Sequence, residues 1–561
     1  MKNEKWKTTN GKWVLTFAVV LFFAAAFRIS VAHWLPNDDP DDGRVYAQIA
    51  RNVLEQHVYS HDTEWPYSSS LIRLPGYPLF LATIYSVFGH GNNGAVRIFQ
   101  ALIDAGTCAL VALLAWLWQP DEKKKRASAF GALVLAAVCP FTTIYTATIL
   151  TEVWTNFLLV ALLIAATFAF RKLTTENTEE NWKGKLKVAF VWWCVSGLIG
   201  GVLVMMRPDA GLFLAAVGVT LVITSLWPLV LGLRKTKTKD QRSKTKTVIG
   251  QLLLAGMIFS IAFAVVLTPW TIRNWRLFHV FQPLAPAHAE MPGEFVPRGY
   301  MLWARTWIDS DSYVAPFLWT LDTSPIDVDD LPPSAFDSTE EKNRVATLFD
   351  KYNHPDDYDA AEELPMQNSP NAKPSPSPET EPSDEDDSGD NSTEPQEPSS
   401  VEMTPEIDAG FAQIARERIS RHPFRHYVLL PLKRARTMWF DTHSQYWPFE
   451  GTLLPLDDLD YEHHQHIWLP LFAALTTVYT LFGLAGAWVL WRARKFEARQ
   501  WLLLVVLAIG LRVALFSSLE NPEARYFVEF FPILSLLGGI AMAQVMTAIT
   551  KRLEARGQRP F

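Results

Sequence analysis

"SLIRLPGYPLFLATIYSVFG", residues 70–89, has the composition of a membrane segment but opens with an arginine and two prolines. Proline lacks a backbone N–H and has a fixed φ, so it is tolerated before and inside the first turn of a helix. Whether this stretch crosses a membrane decides on which side every other segment of the chain lies.

The composition is typical of a polytopic membrane protein. The chain has 561 residues, of which 49% are hydrophobic, and long apolar runs alternate with short charged ones. The Lys/Arg clusters lie between apolar runs and form no basic domain, so we expect no nucleic-acid partner. Cys108, Cys139 and Cys194 lie in apolar runs at unrelated spacings, which fits neither a disulfide framework nor a metal pair.

The apolar runs predict ten spanning helices. Each is long enough for a hydrocarbon core of ~30 Å, which requires about 17–25 residues. The alternative for the first run is a cleaved signal peptide, because its start is basic and "FAAAF" lies near its end, but the run is long for a signal core. The predicted spans are residues 13–35, 95–118, 127–149, 153–170, 186–206, 210–233, 248–270, 467–491, 499–517 and 525–548.

The positive-inside rule answers the question raised by residues 70–89. Lys/Arg clusters occur at residues 2–12, 121–126, 171–187, 234–246, 491–499 and 551–556. All of them fall on one face, the cytoplasm, only if residues 70–89 do not cross. We therefore predict an interfacial or re-entrant helix here, on the outer face. The prediction is an integral, multi-pass membrane protein with both termini cytoplasmic.

Three regions follow from this topology. Residues 1–270 form an N-terminal transmembrane module with a first outer loop at 36–94. Residues 271–466 form a large outer loop between spans 7 and 8, and residues 467–561 form a C-terminal region of three helices. Within the large loop, residues 366–400 contain seven prolines, nine acids and one lysine, a composition that predicts a disordered insertion.

The end of the large loop carries helix signals. Thr404 is a candidate N-cap with Pro405 at the first helical position, and the helix is expected to end before Pro423. Residues 422–440 combine aromatic and basic side chains, so we expect them to lie along the membrane.

Several stretches together carry a family resemblance. "DDGRVYAQIARNVLEQHVYS" (41–60) followed by "RLPGYPLFLATIYSVFG" (73–89) resembles the first outer loop of C-type, polyprenyl-phosphate-dependent glycosyltransferases. The group it resembles contains the bacterial relatives of protein O-mannosyltransferases and of the lipid A aminoarabinose transferase. Further matches are "ILTE" (149–152), "RPDAGL" (207–212), "TPWTIRN" (268–274) and "ENPEARY" (520–526).

The resemblance implies an all-α enzyme of the bacterial inner (plasma) membrane that transfers a sugar outside the cytoplasm, with residues 1–270 as its catalytic module. The donor would be a sugar on undecaprenyl or dolichyl phosphate, and the acceptor a lipid, a glycan or a protein. The expected reaction is an inverting single displacement. Its partners would include membrane lipids.

This chemistry needs particular residue types, whatever the family. The acceptor hydroxyl loses a proton as it attacks the anomeric carbon, and a carboxylate within hydrogen-bond reach is a natural base. The departing phosphate gathers negative charge, which cations held ready in the site stabilise. Arginine suits this task because its fork binds two phosphate oxygens at once.

Asp42 is the candidate base, in line with the family position. Asp38, Asp39 and Asp41 are alternates, and all four acids also suit the start of a helix. Glu152 is a second catalytic candidate, which would orient the acceptor or bind a metal. Its alternative role is a charge partner for the N-terminus of its helix.

Four arginines are candidates for binding the donor phosphate. Each has the alternative role of extending towards lipid headgroups. Tyr46 is a further alternate for the site, although packing is the commoner role for such a tyrosine. The arginines are Arg73, Arg207, Arg273 and Arg525.

No cofactor is predicted with certainty. "YEHHQHIW" (461–468) contains His463, His464 and His466, but consecutive residues on a helix face different ways and no zinc spacing matches. We therefore assign no metal ligands, while a divalent metal near Asp42 and Glu152 stays an alternative.

Two other function classes compete with the transferase. A transporter or flippase of lipid-linked sugars predicts charges inside the spans, along a path, whereas the sequence places nearly all arginines at helix ends. A non-catalytic membrane scaffold predicts that replacing Asp42 leaves glycan transfer unchanged.

Overall fold

The computed structural model describes residues 2–35, 41–174, 182–233, 239–286, 288, 290–355, 401–440 and 465–555. These residues form helices and irregular connections, with no β-strand among them, which confirms the predicted all-α fold class. The helices are α1 (Lys2–Trp34), α2 (Asp41–Glu55), α3 (Gly76–Phe88), α4 (Asn93–Trp118), α5 (Lys125–Ala137), α6 (Pro140–Thr143), α7 (Glu152–Thr174), α8 (Trp182–Met206), α9 (Gly211–Leu233), α10 (Lys239–Phe278), α11 (Arg298–Ala304), α12 (Thr339–Asn353), α13 (Pro405–Arg421), α14 (Leu430–Phe440), α15 (Gln465–Arg492), α16 (Phe496–Ser518) and α17 (Phe530–Ala555).

The chain divides into two compact units. The membrane unit comprises Met1–Glu294, Ala435–Phe516 and Glu523–Phe561, and the loop unit comprises Phe295–Arg434 and Ser517–Pro522. The three-part division predicted from the sequence stays a prediction.

The membrane unit contains the apolar helices. Nine helices among the described residues have the length and composition needed to cross a membrane, and a bent pair, Glu122–Ala137 with Pro140–Thr146, makes a tenth if it is counted as one span. The chain is thus a multi-pass membrane protein, as predicted.

The predicted third span, residues 127–149, is wrong as a continuous helix. The chain bends by 54° between α5 and α6. Pro140 has no N–H for an intrahelical bond, and Cys139 before it is extended, as expected of a residue that precedes proline. Such a bend leaves the last carbonyls of α5 without helical partners.

Arg28 binds these carbonyls from inside the first span. Its guanidinium donates to the carbonyls of Ala136 and Ala137 at 2.9 Å each, and to Asp104 Oδ2 at 2.6 Å. The Arg28 and Asp104 side chains are 0% and 2% exposed. The expectation that nearly all arginines lie at helix ends therefore fails here. Both charges are neutralised by groups of the protein itself, because Arg28 and Asp104 bind each other between packed helices.

The predicted seventh span, residues 248–270, ends too early. Helix α10 runs through Pro269 to Phe278, so the expected start of the large loop at residue 271 is wrong. Pro269 has no N–H to donate to the helix. Two hydroxyl groups beside it add hydrogen bonds to the same helix: Thr268 and Thr271 donate to the carbonyls four residues earlier, at 2.7 and 2.9 Å.

Helix α3 confirms that residues 70–89 do not cross. It has 13 residues, a length of about 20 Å at 1.5 Å per residue, which is short of a ~30 Å core. Its start touches the end of α8, since a Cβ added at Gly76 would lie 2.6 Å from the Met205 carbonyl oxygen. Only glycine allows this approach, which fixes the segment that carries Arg73.

The loop unit has an aromatic core of its own. Tyr300, Trp303 and Trp307 of the α11 region pack with Phe349 of α12 and Phe411 of α13. The predicted start of α13 is confirmed, because the Thr404 side chain accepts a hydrogen bond from the Ile407 N–H and Pro405 is the first helical residue. Residues 366–400, predicted to be disordered, lie outside the described residues.

Candidate active site

Asp42 stands in the first turn of α2, where a carboxylate suits the positive end of the helix. Its Oδ1 accepts a hydrogen bond from Arg73 Nη2 at 2.7 Å, and its Oδ2 accepts one from Arg525 Nη1 at 3.1 Å. The Asp42 side chain is 28% exposed. Three residues far apart in the sequence thus meet at one accessible carboxylate, and we call them, together with Glu523, the Asp42 cluster.

The loop between α2 and α3 presents Arg73. Asn52 donates to the carbonyls of Ser60 and Asp62 at 2.9 and 2.8 Å, and Tyr59 donates to the carbonyl of Arg73 at 3.1 Å. These bonds tie an irregular segment to the helix that carries Asp42. Because these bonds hold the loop backbone in place, they also restrict where the Arg73 side chain can lie.

Arg525 is positioned by the turn that precedes α17. Its guanidinium forms an ion pair with Glu523, two residues earlier, whose Oε1 also accepts a hydrogen bond from Tyr526 at 2.8 Å. The Glu523 side chain is buried. Glu523 was not predicted as a site residue, although it lies in the same "ENPEARY" stretch. Its role here is to orient Arg525.

Asp42 remains ionised at neutral pH. Burial alone would raise its pKa, but the positive charges of Arg525 and Arg73 and their hydrogen bonds outweigh burial and hold the pKa below its ordinary value. Because both oxygens are bound by arginine, the carboxylate is a weak base in this state.

Tyr46 lies one turn after Asp42 and packs edge-to-face on Tyr77, with ring centroids 5.2 Å apart. Burial, followed by the negative charge of Asp42, raises the pKa of Tyr46 to about 12. A phenol with this pKa stays protonated at physiological pH, so Tyr46 can donate a hydrogen bond but cannot act as a base.

Of the alternate acids, Asp41 is described by the structure and does not join the Asp42 cluster. The Asp41 side chain is 96% exposed and lies 3.7 Å from Arg44, a distance and exposure at which an ion pair contributes little. Asp38 and Asp39 lie outside the described residues. Among the described acids of this loop, Asp42 is thus the one held by two arginines.

A second cluster is a closed ring of four charges. Arg207 contacts Asp209 at 2.9 Å and Glu529 at 3.2 Å. Arg512 forms an ion pair with the other oxygen of Asp209 and lies 3.1 Å from the other oxygen of Glu529. We call Arg207, Asp209, Arg512 and Glu529 the charge ring. Every member is largely buried, which is tolerable only because each charge has two partners.

Glu152 attaches to this ring. It is the first residue of α7, as predicted, and its Oε1 accepts a hydrogen bond from Arg207 Nη1 at 2.9 Å. The other oxygen, Oε2, is buried with no hydrogen-bond partner among the described residues. With three carboxylates and two guanidinium groups, ring and Glu152 together carry one excess negative charge.

Tyr526 stands between the two clusters. The guanidinium carbons of Arg207 and Arg525 lie 5.3 and 5.5 Å from its ring centroid, within the range of a cation–π interaction. The charges of both Asp42 and Glu152 act on Tyr46. The structure therefore brings five predicted residues into one region: Asp42, Tyr46, Arg73, Arg207 and Arg525, with Glu152 beside them.

Arg273 has a different environment. Its Nη1 donates to the carbonyl of Ser70 at 2.8 Å, and its guanidinium lies over Trp270 and Tyr59, 4.7 and 5.1 Å from the ring centroids. It holds the first-loop segment against α10. These contacts give Arg273 a structural role, and its predicted phosphate contact stays a prediction.

Asp209, Arg512 and Glu529 were missed by the sequence analysis. Arg512 and Glu529 interrupt apolar runs, and a charge in such a position is a functional-site signal by itself. Asp209 lies in the quoted "RPD" stretch, but only packing shows its two arginine partners.

Within the described ranges, no group of three or more His, Cys, Asp or Glu side chains is arranged to hold a metal ion. His463 and His464 lie outside those ranges. The Asp42 oxygens face arginines, a donor set that suits an anion.

Comparisons with known proteins find likeness only among solved structures. No family model matches the sequence, and no curated protein matches it. The chain is similar to the oligosaccharyltransferase AglB from Archaeoglobus fulgidus in complex with an inhibitory peptide and a dolichol-phosphate, with 13% identity and a TM-score of 0.47. This match covers 96% of the chain but 51% of AglB, so the chain spans about half the length of that enzyme.

A second similar structure is ArnT from Cupriavidus metallidurans bound to undecaprenyl phosphate. The identity is 13%, the TM-score is 0.34, and the match covers 98% of this chain and 81% of ArnT.

Proposed function

We propose that the chain is a membrane glycosyltransferase that moves a sugar from a polyprenyl-phosphate donor to an acceptor hydroxyl on the non-cytoplasmic face. The observation that carries this proposal is the Asp42 cluster, one accessible carboxylate held by two arginines at 2.7 and 3.1 Å. The proposal places the enzyme in a bacterial inner membrane, with both termini in the cytoplasm. The acceptor is a lipid, a glycan or a protein.

The reaction is a single displacement. Asp42 takes the proton of the acceptor hydroxyl as its oxygen forms a bond to the anomeric carbon. The bond between that carbon and the phosphate oxygen breaks, and its electron pair leaves with the polyprenyl phosphate. Attack opposite the leaving group inverts the anomeric configuration.

Arg73 and Arg525 serve the leaving group. A phosphate that enters beside Asp42 competes with the carboxylate for the two guanidinium groups, and charge-assisted bonds to phosphate are strong. As the arginines turn to the phosphate, Asp42 loses the partners that lower its pKa. Donor binding therefore both stabilises the leaving group and makes the carboxylate a better base.

The test is donor turnover by the purified protein in nanodiscs. Polyprenyl-phosphate mannose, glucose and aminoarabinose are offered in turn with a membrane extract as acceptor, and released polyprenyl phosphate is measured. We expect acceptor-dependent release from one of these donors. Binding of a donor without release from any of them would contradict the transferase and favour the transporter or scaffold.

The pH dependence follows from the arginine contacts. Because the pKa of Asp42 is lowered, its basic form is present above that pKa and is lost only as the pH falls through it. We expect the acid limb of kcat/KM, which reports the free enzyme, below the ordinary value of 3.8. The acid limb of kcat should lie at higher pH, because the donor phosphate then occupies the arginines. A pH titration of both constants checks this; limbs in the reverse order would contradict it.

Arg525→Lys tests the phosphate contact. Lysine keeps the charge but loses the planar fork, and a hydrogen bond between charged groups contributes about 1.5–3 kcal/mol, so we expect a rise in donor KM of about 10- to 100-fold. Arg44→Lys is the matched control, because Arg44 is 69% exposed and its recorded ion-pair partner is Asp41. An unchanged KM in Arg525→Lys would remove Arg525 from the donor site.

A further inference from the structure

The loop unit has an apolar face that its own core does not cover. Phe424, Tyr427 and Leu432 are 63%, 67% and 63% exposed, and Val428 and Leu429 are also exposed. Phe424, Tyr427, Val428 and Leu432 recur at helical spacing, so they lie on one side of the segment. We call these four residues the apolar face. Clusters of large exposed apolar side chains usually mark an interaction surface.

The opposite side of the same segment is firmly held. Leu430 and Arg434 are buried. Arg434 donates to the carbonyls of Arg305, Ile308 and Ser517 at 2.6, 2.7 and 3.3 Å. Arg425 donates to Asp337 at 3.0 Å. The apolar face is thus a fixed surface of the loop unit and not a frayed end.

A wide turn helps to present the face. Residues Arg425–Leu429 form a π-helical turn. Pro431 has no N–H to donate to the carbonyl of Tyr427, and a π-turn is one way to accommodate such a gap in the hydrogen-bond ladder. Tyr427 and Val428 lie within this turn.

The charges carried by the segment itself have one sign, and part of them is paired with acids of the loop unit: Arg425 with Asp337 at 3.0 Å, and Lys433 with Asp309 at 3.2 Å. Residues 418–440 contain six Lys or Arg residues and no Asp or Glu. Lys433 follows Leu432 directly, Arg436 follows it by four residues, and both are exposed. An apolar stripe with aromatic residues and flanking cations is the pattern of a helix that lies in a membrane interface.

We propose that the apolar face lies on the outer surface of an anionic lipid bilayer and anchors the loop unit to it. The rings of Phe424 and Tyr427 and the side chain of Leu432 enter the headgroup boundary, while Lys433 and Arg436 contact lipid phosphates. A bilayer is the occupant that the chain itself favours, because three residues after Leu432 it enters the membrane unit at Ala435. This site is separate from the proposed sugar transfer and does not depend on it.

Spin labelling of the full-length protein in nanodiscs tests the proposal. Labels are placed by Tyr427→Cys and, as a matched control, by Thr347→Cys on the exposed side of α12. Cys194→Ala is included throughout because Cys194 is only partly buried, whereas Cys108 and Cys139 are buried. Power saturation then compares collisions with oxygen, which concentrates in lipid, and with a water-soluble nickel chelate.

In nanodiscs of phosphatidylcholine and phosphatidylglycerol, we expect the label at 427 to collide several-fold more often with oxygen than with the nickel chelate. The label at 347 should show the reverse. Equal, water-like behaviour of both labels would overturn the proposal. So would shielding of the 427 label from both agents, because that result means a protein partner covers the face. In pure phosphatidylcholine the 427 label should move towards water; an unchanged depth would overturn the role of the cations.

Discussion

Replacing Asp42 by asparagine is expected to lower donor turnover by about 10²- to 10⁴-fold, the usual contribution of a general base. Asparagine matches the size of aspartate, but its amide nitrogen cannot accept the proton of an attacking hydroxyl. Its amide oxygen can still accept one hydrogen bond from Arg73 or Arg525. Donor binding should therefore persist, and the loss should appear in kcat, measured as released polyprenyl phosphate under saturating donor.

Asp41→Asn is the matched comparison for this variant. Asp41 precedes Asp42 directly, but its side chain is 96% exposed and outside the Asp42 cluster. We expect near wild-type turnover. Full activity of Asp42→Asn together with loss of activity in Asp41→Asn would identify Asp41 as the base. Full activity of both variants would show that neither carboxylate takes the proton.

Replacing Arg28 by methionine is expected to destabilise the membrane unit by about 3–5 kcal/mol, as is typical when one partner of a buried ion pair is removed. The change leaves the carboxylate of Asp104, which is 2% exposed, without its cation. It also strips the carbonyls of Ala136 and Ala137 of their donor at the bend between α5 and α6. Reversible unfolding in mixed detergent micelles measures the free energy.

The double variant Arg28→Met with Asp104→Leu separates these two effects. Removing both charges should recover most of the lost stability, because no uncompensated charge remains. Recovery should be incomplete, since both carbonyls still lack their arginine donor, although the Ala136 carbonyl keeps the longer bond from the Cys139 N–H at 3.4 Å. Arg44→Met, at an exposed pair, should cost less than about 1 kcal/mol. A single Arg28→Met variant as stable as wild type would show that the pair does not secure the bend.

Features encoded within a few neighbouring residues were predicted from the sequence. Hydropathy located the apolar helices, and the distribution of Lys and Arg predicted that residues 70–89 do not cross. Thr404 and Pro405 marked the start of α13 correctly. The failures occurred at prolines, because the sequence does not show whether other groups bind the freed carbonyls. At Pro140 the helix bends, whereas at Pro269 it continues.

The candidate site was predicted in part. Asp42, Arg73 and Arg525 were each chosen for their chemistry, and the structure joins them although 483 residues separate Asp42 from Arg525. The charge ring was not predicted, because Asp209, Arg512 and Glu529 acquire their partners only through tertiary packing. Arg273 had the right residue type but packs on Trp270 and Tyr59, a contact that no local pattern indicates.

The charge ring also constrains how this protein can change in evolution. Each member bonds to two others, so a single substitution leaves two buried charges short of a partner, and the effects of substitutions in the ring cannot be additive. A series of substitutions that preserves stability must therefore replace an acidic and a basic member of the ring together. In homologous chains, the positions of Arg207, Asp209, Arg512 and Glu529 should therefore be kept as a set or lost as a set, and should covary more strongly with one another than with their apolar neighbours.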